Sequence, residues 1–298
     1  MILKGFIYLF MLSFITRHII RKRRAIIFNM ETNKNQCIIT NKYPSHIYCN
    51  NEYTGYLKNT EFIQNKSLIA ISPGGFKGFY LLGISAFLKD HYPLDNFIYS
   101  GASAGAWNSL FLSMKTNHNS FFQDIIVKNK LQLKELKTPR QVENYMKEQI
   151  LSKYSSDDFD LQRVFIGVTS IEQLRRKTFI YTDFDTLEDA VECCIASSHI
   201  PFITGGLSQI YHNKYCFDGG FSKYPYLNIS KPVLYITPSI FQKEKDKKDK
   251  NNKEEFSLYD TTTLFSRDKF DFEELFTRGY HDASEHKAFL DSVLDSRK

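Results

Sequence analysis

Ser67 to Ser72 is an unbroken apolar run with small ends, the pattern of a short buried strand. A glycine-rich turn follows at 73–78. Residues 79–90 then carry Leu82, Ala86 and Phe87 at helical spacing. The same alternation repeats downstream. Phe97 to Ser100 predicts a second strand, Gly101 to Gly105 a tight turn, and 104–115 a second helix. Thr138-Pro139 supplies a helix cap and first-turn proline, after which Val142, Met146 and Ile150 recur every four residues. Val164–Ser170 and Thr178–Thr182 predict strands. Thr186 opens a helix with Leu187, Ala190, Val191, Cys194 and Ile195 on one face, and Val233–Thr237 predicts a further strand. Helices are also expected over 271–280 and 283–296, the second with His286, Phe289, Leu290, Val293 and Leu294 on one face. Strands alternating with helices imply an α/β fold, here a three-layer α/β/α arrangement with a mostly parallel sheet.

The flanks are different. Residues 29–66 are polar, Asn-rich and weakly periodic, a linker or extension. Gln242 to Glu255 is rich in lysine and acid, a solvated loop. The chain thus divides into an N-terminal apolar and basic segment (1–28), the extension (29–66), an organised α/β domain (67–240), and a charged loop with C-terminal helices (241–298). Gly5 to Thr16 is uncharged, but as a helix it would reach only about 18 Å, short of a hydrocarbon core of roughly 30 Å. The segment reads as a membrane tether or marginal signal anchor. Arg21 to Arg24 after it would hold the following domain on the cytoplasmic side. A cleaved signal peptide fits less well, because the positive charge follows the apolar run.

Composition narrows the function classes. The 298 residues are 42% hydrophobic and 24% charged, enough apolar content for a substantial core. The net charge of +6 favours an anionic surface such as a phospholipid membrane. No helix-turn-helix, zinc or aromatic-basic module points to nucleic acid. The five cysteines include the adjacent Cys193 and Cys194 and no Cys-x-x-Cys spacing, which fits a reducing compartment better than a disulfide scaffold or zinc site. Cys194 is expected as a buried small hydrophobe. No metal or organic cofactor is expected.

Three clusters carry chemistry. Gly101-Ala102-Ser103-Ala104-Gly105 is a Gly-x-Ser-x-Gly run between a predicted strand and helix. A serine presented on such a sharp turn needs small flanks, and the helix behind it favours developing negative charge. Ser72-Pro73-Gly74-Gly75-Phe76-Lys77-Gly78 lies at an equivalent strand-to-helix junction. Its backbone N–H groups can converge on an anion, but its spacing fits neither a phosphate loop nor a dinucleotide turn. Phe217-Asp218-Gly219-Gly220 offers a carboxylate on a tight loop. Partial desolvation would raise its pKa and make it a better base.

In this order the clusters resemble the patatin-like phospholipase family: a glycine-rich oxyanion loop, Gly-x-Ser-x-Gly, then Asp-Gly-Gly. Ala196-Ser197-Ser198-His199-Ile200-Pro201-Phe202 is similar to the family's Ala-Ser-x-x-x-Pro segment. The resemblance spans roughly 67–240. It implies a Ser-Asp dyad without histidine, with Ser103 as nucleophile and Asp218 as base. It also implies oxyanion donors within Gly74, Gly75, Phe76, Lys77 and Gly78, and Gly101, Gly105, Gly219 and Gly220 as motif glycines. The implied substrate is a glycerolipid or phospholipid ester, hydrolysed through an acyl-enzyme. Pro73 departs from the family, which often has glycine there, and proline has no N–H to donate.

Two rivals remain at this stage. A Ser-His-Asp hydrolase would need a histidine after Asp218. Only His281 and His286 qualify, both in the predicted helical tail, whereas a triad histidine normally lies on a loop. A non-catalytic lipid-binding protein on the same fold has no need of the serine, aspartate and glycines together. His199 is expected in the pocket wall or core.

Overall fold

The computed structural model describes residues 37–40, 46–49, 63, 65–115, 121–172, 175–228, 230–241 and 270–294. The proposed tether at 1–28 and the charged loop at 242–255 lie outside them.

The strands are β1 (Cys37–Thr40), β2 (His46–Cys49), β3 (Ser67–Ile71), β4 (Phe97–Gly101), β5 (Val164–Glu172), β6 (Arg175–Tyr181), β7 (Gln209–Tyr211), β8 (Lys214–Phe217) and β9 (Leu234–Ile236). The helices are α1 (Gly78–His91), α2 (Ala104–Leu112), α3 (Lys130–Glu135), α4 (Pro139–Lys153), α5 (Leu187–Ser197), α6 (Phe272–Glu285) and α7 (Lys287–Leu294). One sheet runs β2-β1-β6-β5-β4-β3-β9, with β8 joined to β5 and β7 to β8. Strands β9, β3, β4 and β5 are parallel, as expected for the α/β core. Beyond β5 the direction changes, since β6 and β8 both run antiparallel to it.

The register fixes the two faces. Ile69, Ile71, Tyr99, Val164, Ile166, Val168, Phe179, Leu234 and Ile236 share one face, which is buried beneath the helices. The opposite face presents Leu68, Ala70, Ile98, Ser100 and Phe165, also buried. Among the described residues, its cover is the extended segment 222–227. Leu227 N–H donates to Ser100 Oγ at 2.9 Å, and Ser222 Oγ lies within 2.9 Å of Thr169 Oγ1 and 2.7 Å of Thr178 Oγ1. A strand buried on both sides needs apolar residues at every position, which is why Ser67–Ile71 reads as a continuous run.

Several elements differ from the sequence reading. Cys37–Thr40 and His46–Cys49, expected in a polar extension, form β1 and β2, with β1 parallel to β6. The β7–β8 hairpin was not expected. Its turn places His212 and Asn213 at φ 45° and 60°, the left-handed geometry of a two-residue hairpin loop. The helical segment 123–135 was also unforeseen. Helix α1 is buried from Phe79 through Leu88, not along one stripe, because α6 covers its outer side. That crossing is close: a Cβ at Gly83 would lie 2.0 Å from Phe276 O, and one at Gly279 2.0 Å from Tyr80 O. In the C-terminal pair the break falls at His286, and Phe289 is 46% exposed, so it does not share the buried face of Leu290 and Leu294. The two caps read from sequence are formed: Thr138 makes a capping box with Gln141, and Thr186 accepts from Asp189 N–H.

Candidate active site

The site lies where two strand ends meet along one edge of β5. Strand β4 pairs with β5 as far as Gly101, opposite Ile166, and then leaves the sheet. Strand β8 occupies the same edge from the other direction and ends with Phe217 opposite Thr169. The turns that follow each strand, at Ser103 and Asp218, therefore converge beside Gly167. Space there is limited: a Cβ at Gly219 would lie 2.3 Å from Gly167 O and 2.5 Å from Ala102 Cβ.

Ser103 caps the N-terminus of α2 with φ 54° and ψ −126°, a backbone conformation that costs a non-glycine residue about 1–3 kcal/mol. It survives because its surroundings determine it. A Cβ at Gly105 would lie 2.1 Å from Ile71 O, and one at Gly101 2.1 Å from Gly105 O, so the turn closes only with glycine at both flanks. Ser103 N–H donates to Ser197 Oγ at 2.8 Å, and Ser197 Oγ donates to Gly167 O at 2.7 Å. Ser103 itself is 4% exposed.

Asp218 is equally buried. Its N–H donates to His199 O at 2.7 Å, and its Oδ1 accepts from Gly220 N–H at 2.6 Å. The Ser103 side chain is close enough to lower its pKa. Burial pushes the carboxyl up to about 6, against the opposing pull of the Ser103 side chain and the Gly220 hydrogen bond. This is the direction expected of a desolvated acid.

The glycine loop forms the third side. Gly75 has φ 53°, and Gly75–Lys77 makes a single 3-10 turn leading into α1. Lys77 N–H donates to Gly74 O at 3.1 Å, and Gly78 N–H turns back on the carbonyls of Gly75 and Phe76. Those two amides are bonded inside the turn. The Phe76 side chain is buried against Phe270 and Phe272. Pro73 precedes the turn, and its ring packs near Gly220, 3.1 Å from where a Cβ there would sit. It is a wall between the two loops, outside the donor positions. Asn108, not singled out in the sequence, joins glycine loop to serine turn. Its Nδ2 donates to Gly78 O at 3.2 Å and Ala104 O at 2.9 Å, while Ser85 Oγ donates to its Oδ1.

Neither tail histidine is bonded to Ser103 or Asp218. His281 is exposed and approaches Glu285 at 3.7 Å, and His286 stacks on Phe241 with Nδ1 2.8 Å from Asp282 O. His199 is buried, and desolvation lowers its pKa, so it stays neutral near pH 7. Cys193, Cys194 and Cys216 are free and buried, with all three thiols pushed up by burial. Such thiols are poor nucleophiles. Among the described residues, His281, Asp282 and Glu285 have ligand atoms within 4.8 Å of one another, on the outer side of α6. Asp282 Oδ2 is already bonded to Tyr80 OH.

The family model for patatin-like phospholipase matches residues 69–227, more than half of the chain. Two solved structures are similar. One is ExoU from Pseudomonas aeruginosa, in its heterodimer with SpcU, at 14% identity and TM-score 0.36, covering 78% of this chain and 52% of that one. The other is VipD from Legionella pneumophila, at 12% identity and TM-score 0.37, covering 91% and 73%. The chain thus spans about half the length of the ExoU chain. No curated protein matches.

Proposed function

The chain belongs to the patatin-like phospholipase family, and from that premise we propose that it hydrolyses carboxylic esters of glycerolipids with a Ser103–Asp218 dyad. The observation that carries the reading is the strained, buried Ser103 set beside the desolvated Asp218 carboxyl, whose pKa the serine side chain lowers. Asp218 takes the hydroxyl proton as Ser103 Oγ attacks the acyl carbonyl. The Gly75 and Phe76 amides, with Ala104 N–H at the start of α2, point donors at the oxyanion. Collapse of the tetrahedral adduct releases the alcohol, protonated by Asp218, and leaves an acyl-serine. Water, deprotonated by Asp218, then frees the fatty acid and restores the serine.

The protein would work at a lipid surface. Strands β5, β8 and β7 carry Ile171, Tyr215 and Ile210 in adjacent register positions on one exposed face, and Phe202 and Leu207 are exposed on the loop before them. These residues flank the strand that delivers Asp218, and they give a lipid interface something apolar to hold. Attachment through residues 1–28, with the domain on the cytoplasmic face, is part of the same proposal. The test is product analysis on phospholipid vesicles. Fatty acid and lysophospholipid should appear with wild type and be absent with Ser103→Ala. Release by both proteins would overturn the reading.

A further inference from the structure

Helix α4 brings two side chains to the site that the dyad does not use. It is anchored by Tyr145 OH, which donates to Ile125 O at 2.9 Å, and by an ion pair between Lys147 and Glu192 of α5. Arg140 and Glu143 lie one turn apart on it. Arg140 Nη1 is 3.8 Å from the point where a side chain at Gly205 would begin, and His199 Cε1 is 3.4 Å from the same point. The His199 carbonyl in turn holds Asp218 N–H. Arg140 is half-buried, and among the described residues it has no hydrogen bond or ion pair within 4.0 Å. Glu143 Oε2 is buried with no hydrogen-bond partner.

A buried carboxyl oxygen without a partner is costly in either charge state, and a bound group that pairs with it would remove that cost. Its charge state follows from its surroundings. Burial holds Glu143 well above the ordinary carboxylate range, Arg140 opposes this, and the nearby Asp218 carboxylate adds to it. Burial thus favours the protonated acid, whose O–H can donate. A guanidinium fork beside an acid O–H is a donor-rich pair, the complement of a phosphodiester. A neutral acylglycerol offers no such anion.

We propose that Arg140 and Glu143 form a head-group subsite that takes the anionic phosphodiester of a phospholipid while Ser103 attacks its ester. This rests on the hydrolase reading and names its substrate class. The experiment compares hydrolysis of phosphatidylcholine vesicles with that of p-nitrophenyl butyrate, a soluble neutral ester. Arg140→Ala should lower the phospholipid-to-neutral-ester ratio of kcat/KM about tenfold or more, the loss expected for charge-assisted hydrogen bonds. Glu143→Gln, which still donates, should keep the ratio within about threefold, and Glu143→Ala should lower it like Arg140→Ala. Unchanged ratios in the alanine variants, or equal losses in Glu143→Gln and Glu143→Ala, would overturn the subsite. In calorimetry on Ser103→Ala protein, glycerophosphocholine should bind and lose affinity when Arg140→Ala is added. Equal affinity with and without Arg140→Ala would overturn the subsite, as would inorganic phosphate binding more tightly than glycerophosphocholine. A wild type inactive on both esters would sink the hydrolase reading instead, with the calorimetry still deciding the subsite.

Discussion

The two turns that meet beside Gly167 are built in opposite ways. The Ser103 turn is held by backbone. It sits between a parallel strand and a helix, and glycines at 101 and 105 let main chain approach main chain closely. The Asp218 turn is held by tertiary placement. It depends on the β7–β8 hairpin, on the His199 carbonyl and on the edge of β5 left open by β4. A nucleophile must be strained and fixed, so its scaffold is local and rigid. A base needs a shifted pKa, which here comes from burial by distant parts of the chain.

Replacing Gly105 with alanine should break the first turn most severely. Its Cβ would fall 2.1 Å from the Ile71 carbonyl, and neither strand nor helix can yield. A loss of about 3–5 kcal/mol, enough to leave little folded protein, is expected in denaturant titration. Gly206→Ala, with nothing within 4 Å of its Cβ, should change stability by less than about 0.5 kcal/mol. Comparable losses in the two variants would erase the contrast.

The base should reveal itself through stability as well as rate. Its pKa lies higher in the folded state, at about 6 against 3.8, so the folded protein binds the extra proton between those values. Stability should therefore fall as pH rises through this window, by at most about 3 kcal/mol. Asp218→Asn removes the cost of holding a buried charge and should be more stable than wild type at pH 8. A lower melting temperature for Asp218→Asn would contradict burial as the cause. For the same reason kcat/KM should decline below about pH 6, as the carboxylate takes its proton. A flat profile from pH 5 to 8 would contradict its role as base.

Ser197 ties the Ser103 turn to β5 by accepting from Ser103 N–H and donating to Gly167 O. Ser197→Ala strands both groups and should cost about 1–3 kcal/mol in unfolding free energy. The smallest effect is expected at the tail histidines. His281→Ala and His286→Ala together should leave kcat/KM within about twofold, since their partners are Glu285, Asp282 and Phe241.

The same contrast explains what the sequence could reveal. The first turn was readable because its requirements are local: small flanks, a preceding apolar run and a following helix. The glycine loop was readable for the same reason, though only the folded turn reveals that the Lys77 and Gly78 amides are bonded within it. Asp218 could be picked out only through the order of the family's motifs. Its hairpin escaped because Gln209 to Phe217 combines two very short strands with polar turn residues and no glycine. Edge strands β1 and β2 escaped because Asn-rich polar sequence surrounds them. Asn108, Arg140 and Glu143 carry no local signal, since Asn108 joins segments 23 or more residues away in the chain and the other two face groups brought up by distant elements.

The central claim is that Ser103 and Asp218 act as one unit. The most direct measurement is turnover of a phospholipid by wild type, Ser103→Ala, Asp218→Asn and the double variant, each confirmed as folded by its melting transition. Each single variant should lose about a thousandfold or more in kcat, and the double variant little beyond that, because residues acting as a unit are not additive. Wild-type-like turnover in either single variant, or losses that multiply in the double, would contradict it.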